Sequence, residues 1–146
     1  MQFKHLPFDQ LSLSDLYQLL WLRDEVFVVG QKITAEPEVD GLDPQAIHVL
    51  GRHEPAGRVL VTARLFVSDD KVKVGRVAVH PDLQRQGLGT QLMHYVHEIM
   101  QDRRGEMSAQ AHLQPWYGSL GWQADGPVYL EAELPHVHML RPAKTR

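Results

Sequence analysis

The chain contains no cysteine, no surplus of positive charge and no apolar run approaching the length of a membrane span. Without cysteine it has no disulfides, no thiolate metal ligands and no cysteine nucleophile. Lys and Arg number 15 against 18 Asp and Glu, a net charge of -3 over 146 residues, and the basic residues are scattered. Proteins that read duplex nucleic acid carry a basic excess, so no nucleic-acid partner is expected. The N-terminus shows no charged-then-apolar leader pattern, so no membrane partner is expected either, and the expected compartment is the cytoplasm. The length suits one domain, residues 1–146, around one core. There are 9 histidines, among them His94 and His97 at helical i, i+3 spacing and His136 and His138 on one strand face. Neither pair has an evident third ligand, and the His-Glu-x-x-His spacing is missing, so no metal is expected.

Two nucleotide signatures are also missing. Gly-x-Gly-x-x-Gly would need glycine at 92, where Leu92 stands, and the Gly-Lys-Ser/Thr of a Walker loop is absent. What is present is Gln84-Arg85-Gln86-Gly87-Leu88-Gly89, set between the strand Val77-Ala78-Val79 and a helix beginning near Thr90. A helix start offers unpaired N–H groups and a positive dipole end, which suit a diphosphate, and glycine lets the backbone come close. A glycine pair by itself is more often a tight strand-to-helix turn. The order strand, glycine turn, helix favours a phosphate cradle.

Ser12 with Asp15 resembles a capping box, and Leu13, Leu16, Leu20 and Phe27 recur at helical intervals, predicting a helix over about 12–28. Residues 30–44, with Gly30, Pro37, Gly41 and Pro44, read as a long functional loop. Ile47 to Arg52, Val59 to Val67 and Lys71 to Val79 read as strands. In the third, Val72 and Val74 share one parity and Val77 and Val79 the other, so the apolar period slips by one near Gly75-Arg76. Either a β-bulge or a strand buried on both faces explains the slip. Leu88, Leu92, Val96 and Ile99 mark a helix ending near Arg103-Arg104-Gly105, and Met107, Ala109 and Ala111 mark a strand. A short helix over about 112–120 follows, then Trp122 to Ala124, Val128 to Leu130 and His136 to Leu140 as a final antiparallel pair around Asp125-Gly126-Pro127. Such an order predicts an α/β fold with a mixed sheet and helices on both faces.

Gln/Arg-x-x-Gly-x-Gly after a Val-x-Val strand resembles the acetyl-CoA loop of the GNAT N-acetyltransferases. Ser108-Ala109-Gln110-Ala111-His112-Leu113-Gln114-Pro115-Trp116-Tyr117, then Gly121-Trp122, is similar to the family's strand, helix and aromatic ending. Leu22-Arg23-Asp24-Glu25-Val26-Phe27-Val28-Val29, Asp40-Gly41-Leu42-Asp43 and Pro135-His136 narrow the likeness to its ElaA-like branch. The resemblance implies the single-domain acyl-CoA N-acyltransferase fold, with a mostly antiparallel sheet and a bulged, splayed central strand. It favours the bulge over the doubly buried strand. Two positions depart from the pattern: Gly30 stands where glutamate precedes Gln31, and Gln110 where many members carry asparagine.

The resemblance implies acetyl-CoA as co-substrate and no metal. It assigns cofactor contacts to Val77 and Val79 through their backbones, to Gln84, Arg85, Gln86, Gly87, Leu88, Gly89 and Thr90 in the turn, and to Gln110. It assigns Tyr117 as the acid that protonates the leaving thiolate; an ordinary phenol near pKa ~10 and thiol near ~8.5 exchange a proton easily. Without the family pattern Tyr117 reads as aromatic packing beside Trp116. The base is harder to place, since the polar residues of the strand before the turn are Lys71, Lys73 and Arg76. His112, at a helix start, and Glu25, on the first helix, are candidates, although solvated or hydrogen-bonding roles fit each as well. Phe27, Arg76 and His136 are the substrate-side candidates. Arg76 suits a carboxylate-bearing amine or a surface ion pair. The acidic loop from Glu36 to Asp43 suits a cationic acceptor, whereas Arg23, Arg64 and Arg76 suit an anionic one. The expected function is direct acetyl transfer to a primary amine, of a small molecule or a peptide, by a monomer or homodimer. The alternative is a non-catalytic module that binds CoA thioesters.

Overall fold

A computed structural model describes residues 1–144. The elements are β1 (Gln2–Pro7), α1 (Leu13–Arg23), a π-helical turn (Asp24–Gly30), β2 (Ile47–Arg52), β3 (Val61–Val67), β4 (Lys71–Val79), α2 (Leu88–Met100), β5 (Arg104–Gln110), α3 (Gln114–Ser119), β6 (Gln123–Ala124), β7 (Tyr129–Glu131) and β8 (Leu134–Arg141). The strands form one sheet in the order β1-β2-β3-β4-β5-β8-β6, with β7 also on β8. β4 and β5 run parallel and the remaining pairs antiparallel, as the mixed, mostly antiparallel expectation had it. Among the described residues no helix is long and apolar enough to cross a membrane.

Helices cover both faces. On one, Leu88, Leu92, Met93, Val96 and Met100 of α2 pack with Tyr117 and Trp122 on Val49, Val61, Leu65, Val72, Val74, Met107 and Met139. Each fully buried side chain of this size contributes about 1.5–3 kcal/mol, so this layer dominates the core. On the other, Leu19, Leu22 and Val26 pack on Leu50, Val59 and Ala78.

The first helix differs from expectation. Ser12 does cap it, accepting the Asp15 N–H at 3.0 Å, but the Asp15 carboxylate bonds Lys4 at 2.6 Å and Arg52 at 2.8 Å, tying α1 to β1 and β2. The α-helical part stops at Arg23 and the chain widens into the π turn, which changes the phase of everything after it. Leu19, Leu22 and Val26 face the core with Leu16, Leu20 and Phe27 half-buried beside them, while Leu13, in the first turn, is 87% exposed. A Cβ at Gly30 would stand 2.9 Å from the Glu25 carbonyl oxygen, so the end of the π turn requires glycine.

Three further differences concern strands. The polar stretch Gln2–Pro7 is an edge strand, a place that tolerates Lys4, His5 and a terminal proline. The second predicted strand begins at Val61 rather than Val59. β6 and β7 pair with β8 rather than with each other, and the β7–β8 hairpin turns through Ala132 (φ 50) and Glu133 (φ 65), two left-handed residues without the usual glycine or asparagine signal.

The slip in β4 is a bulge. Arg64 pairs with Gly75 and Thr62 with Ala78, so two steps along β3 span three along β4. Val72, Val74, Val77 and Val79 consequently all pack on the α2 side in spite of their parity. The strained residue is Arg76, at φ +49, and not Gly75 beside it.

Candidate active site

β4 and β5 pair at Lys71–Arg104, Val72–Gly105 and Lys73–Glu106, and beyond those residues the two strands diverge. The bulge turns β4 away while β5 stays with β8 as far as Gln110 and His136. Between them lies a cleft of about 410 Å³, lined on one side by Gly75, Arg76 and Val77 and on the other by Ser108, Ala109 and Gln110, with Phe27, Tyr117 and His136 also in its wall.

The glycine turn follows β4. Arg85 (φ 66) and Gly87 (φ 78) are both left-handed, and Gly87 N-caps α2 with no side-chain cap and no acidic residue in the first turn. The N–H groups of Leu88, Gly89 and Thr90 therefore open the helix with no intrahelical acceptor. Gln84, Arg85, Gln86 and Gly87 are exposed. The two glycines serve different ends. Gly87 supplies the positive φ, which costs a side-chain-bearing residue about 1–2 kcal/mol, and has open space around its Cβ position. At Gly89 a Cβ would sit 3.3 Å from the Trp116 ring and 3.6 Å from the Val79 side chain. Trp116 closes over that position and donates its Nε1–H to Thr90 Oγ1 at 3.3 Å, joining α3 to the start of α2.

Tyr117, one residue on, is 4% exposed, with its ring 4.7 Å from that of Trp116 and 6.5 Å from that of Trp122. Burial pushes its phenol up to about 12. The hydroxyl is therefore a proton carrier throughout the physiological range.

The opposed charges of the sequence meet in one network. Arg23 bonds Glu38 at 2.8 Å and Asp43 at 2.8 Å, Arg64 grips both oxygens of Asp40 at 2.9 Å and reaches Asp43 at 3.1 Å, and Arg76 bonds Glu38 at 2.8 Å and Asp40 at 3.4 Å. Three guanidiniums thus face three carboxylates, and they fasten the loop after the π turn across the bulge. Burial works to raise Asp40, but hydrogen bonds from Arg64 and the Leu42 N–H, with the charges of Arg64 and Arg76, bring it down to about 2. Asp43 is likewise lowered: burial opposes it, and Arg23 and Arg64 prevail.

The predicted bases lie off this cleft. Glu25 pairs with Arg58 at 3.0 Å and lies 3.5 Å from His80 Nε2, and His112 is exposed on the 3-10 turn Ala111–Leu113; neither is among the cleft's lining residues. Gln110 exchanges amide hydrogen bonds with Gln31 at 2.8 and 3.4 Å, spanning from β5 to the end of the π turn. Among the histidines considered for metal, His97 Nε2 accepts from Trp122 Nε1 at 3.1 Å, and His138 faces Asp125 at 3.2 Å.

One cluster in the cleft wall joins the candidate His136 to residues that no local motif connects with it. Ser108 Oγ donates to Glu131 Oε2 at 3.2 Å and bonds the Tyr129 hydroxyl, and the same Glu131 oxygen lies 3.5 Å from His136 Nε2. These residues come from β5, β7 and β8, and only the sheet register brings them together.

A family model described as an acetyltransferase (GNAT) domain matches residues 53–141. The chain is 35% identical over 150 residues to the protein ElaA of Escherichia coli, covering 97% of this chain and 96% of that one. Among solved structures it resembles an acyl-CoA N-acyltransferase from Pseudomonas aeruginosa with a TM-score of 0.87 at 37% identity, covering 97% of this chain and 99% of that one. A more distant likeness, with a TM-score of 0.72 at 12% identity over 100% of this chain and 99% of the other, is to an aminoglycoside 6'-N-acetyltransferase complexed with coenzyme A, and it concerns the fold alone. The bulged and splayed strands, the uncapped glycine turn and these likenesses agree: the chain belongs to the GNAT acetyltransferases, whose members transfer acyl groups from acyl-CoA.

Proposed function

We propose that the chain transfers the acetyl group of acetyl-CoA directly to the primary amine of a small molecule, both substrates being bound together. The observation that carries this is the divergence of β4 and β5, which opens a cleft with the buried Tyr117 in its wall, while the chain leaving β4 turns into the uncapped start of α2. In this reading the N–H groups of Leu88, Gly89 and Thr90 bind the pyrophosphate, with Gln84, Arg85 and Gln86 around it. The backbones of Val77 and Val79, freed from pairing with β5, bind the pantetheine arm as an added strand would be bound. Gln110 meets that arm from β5 after releasing Gln31.

Tyr117 gives its proton to the departing thiolate. Its phenol stands further above an ordinary thiol than a free tyrosine would, but the same burial that raises the phenol also raises a thiol leaving beside it, so the gap between them narrows again. Arg76 holds the acceptor side of the cleft in shape through Glu38 and Asp40, and Phe27 gives that side an apolar wall.

The test is release of free thiol from acetyl-CoA against a panel of small amines and lysine peptides. Release that depends on the amine, with the acetylated amine as product, is the expected result. Tight CoA binding with no release for any amine would make the chain a CoA-thioester-binding module instead.

A further inference from the structure

We propose that Glu131 and His136 together bind the incoming amine as a primary ammonium and take its proton, with Ser108 and Tyr129 as positioning residues. The proposal rests on the acetyl-transfer function above and supplies the base it lacks. β4 offers no carboxylate, Glu25 is tied to Arg58, and Glu38 and Asp40 are bonded to Arg23, Arg64 and Arg76.

The backbone fixes the tautomer of His136. His136 Nδ1 lies 2.8 Å from the Leu134 carbonyl oxygen, which only accepts, so Nδ1 carries the hydrogen and donates it. In the neutral ring Nε2 therefore holds the lone pair. It faces Glu131 Oε2 at 3.5 Å, and that oxygen already accepts from Ser108. Since the Ser108 hydrogen is engaged in that bond, its oxygen accepts from the Tyr129 hydroxyl, completing a chain that fixes where the carboxylate points. With the ring neutral, two acceptors converge at the edge of the cleft that Ser108, Glu131 and His136 all line. Such a pair binds a proton, or a group that brings N–H donors to both atoms at once. A primary ammonium does so and keeps one N–H free; a quaternary one has none to give.

His136 is faced by Tyr129 and Glu131 from β7 and by Gln110 from β5, while Arg76 and Lys73 line the same cleft from β4. The ammonium gives one proton to His136 Nε2, and its freed lone pair forms the N–C bond to the thioester carbon as the C–S bond breaks. The second proton, shed by the nitrogen once it is bonded to carbon, replaces the one that Tyr117 gives the sulfur. Amide and thiol leave, and the proton on His136 passes to water past Glu131, whose side chain is 45% exposed.

The test compares the parent with Glu131→Gln and His136→Gln in single-turnover acetylation of the fastest primary alkylamine of the panel, at pH 7 and pH 10. An alkylamine with a pKa near the ~10.4 of lysine gains roughly seven hundredfold in neutral fraction between those pH values, so a missing base matters far less at the higher one. The variants should lose roughly a hundredfold to ten-thousandfold at pH 7 and recover at least tenfold of that loss at pH 10, while CoA still stabilises them thermally. Ser108→Ala should show a smaller loss with the same pH pattern. A loss equal at both pH values, or none, overturns the proposal and leaves the acetyl-transfer function standing. No thiol release by the parent with any amine overturns both. If His136→Gln no longer responds to CoA, the exposed Glu131 variant carries the test alone.

Discussion

Replacing Tyr117 by phenylalanine removes one hydroxyl from a ring that is 4% exposed and leaves its packing on Trp116 and Trp122 in place. The stability cost is that of a single hydroxyl, about 1 kcal/mol, or roughly 2–4 °C in melting temperature for a chain of this size. A group acting as general acid contributes about 10²–10⁴ in rate, about 2.7–5.4 kcal/mol of barrier, so the kinetic effect should exceed the structural one severalfold. The assay is rapid-quench single turnover with saturating acetyl-CoA and amine, which separates the chemical step from product release. CoA-dependent thermal stabilisation should stay within error of the parent. Because the phenol sits at about 12, no limb of the pH–rate profile below pH 10 should arise from Tyr117. A parent-like chemical step in the variant would refute the assignment and leave Tyr117 as packing, with water as the acid.

The same phenol makes a stability prediction: a group held above its ordinary value of 10 favours the protonated fold, so that contribution is present below pH 10 and is lost as pH rises towards about 12, which alkaline melts should register. Asp40 has the opposite sign. Its carboxylate is lowered from 3.8 to about 2, so its contribution is full above pH 4 and disappears as pH falls towards 2, and an Asp40→Asn variant should show a flatter acid limb in thermal melts. Arg23→Ala should destabilise by about 3 kcal/mol in urea titrations, since it removes a buried guanidinium and leaves Glu38 and Asp43 with only Arg76 and Arg64 as partners, whereas Arg76→Ala, at a side chain 28% exposed, should cost about 1 kcal/mol or less. Gly87→Ala should lower stability by about 1–2 kcal/mol through its left-handed φ alone and weaken CoA protection; unchanged protection at saturating and limiting CoA would show that the turn is not the cradle.

The features legible in the sequence were those carried by local spacing. Val72, Val74, Val77 and Val79 show a slip because a one-residue insertion reverses the parity of every inward side chain after it, although a doubly buried strand fits that pattern equally and the family resemblance was needed to favour the bulge. The glycine turn was legible because strand, glycines and helix are adjacent in the chain. Features set by distant partners were not. The arginines and acids of the loop looked like competing substrate signals until the fold paired Arg23 with Asp43 and Arg64 with Asp40. Gly89 read as room for phosphate, yet its missing Cβ makes room for Trp116, 27 positions on. The π turn has no sequence period of its own, so the predicted helix ran through it, and Leu13, which fits the apolar period, is exposed because nothing packs on the first turn of α1 at that position. His136 stands among the substrate-side candidates, but nothing local links it to Ser108 or Glu131, and their meeting depends on the pairing of β5 and β7 with β8.

The most direct test of the account is a CoA titration followed by backbone amide shifts in solution NMR. Saturable changes should be largest at Leu88, Gly89 and Thr90 in the turn and at Val77 and Val79 on the freed edge of β4. Binding that leaves those five amides unmoved and shifts residues elsewhere, such as Tyr17 and Trp21 in the hollow on the outer face of α1, would contradict it.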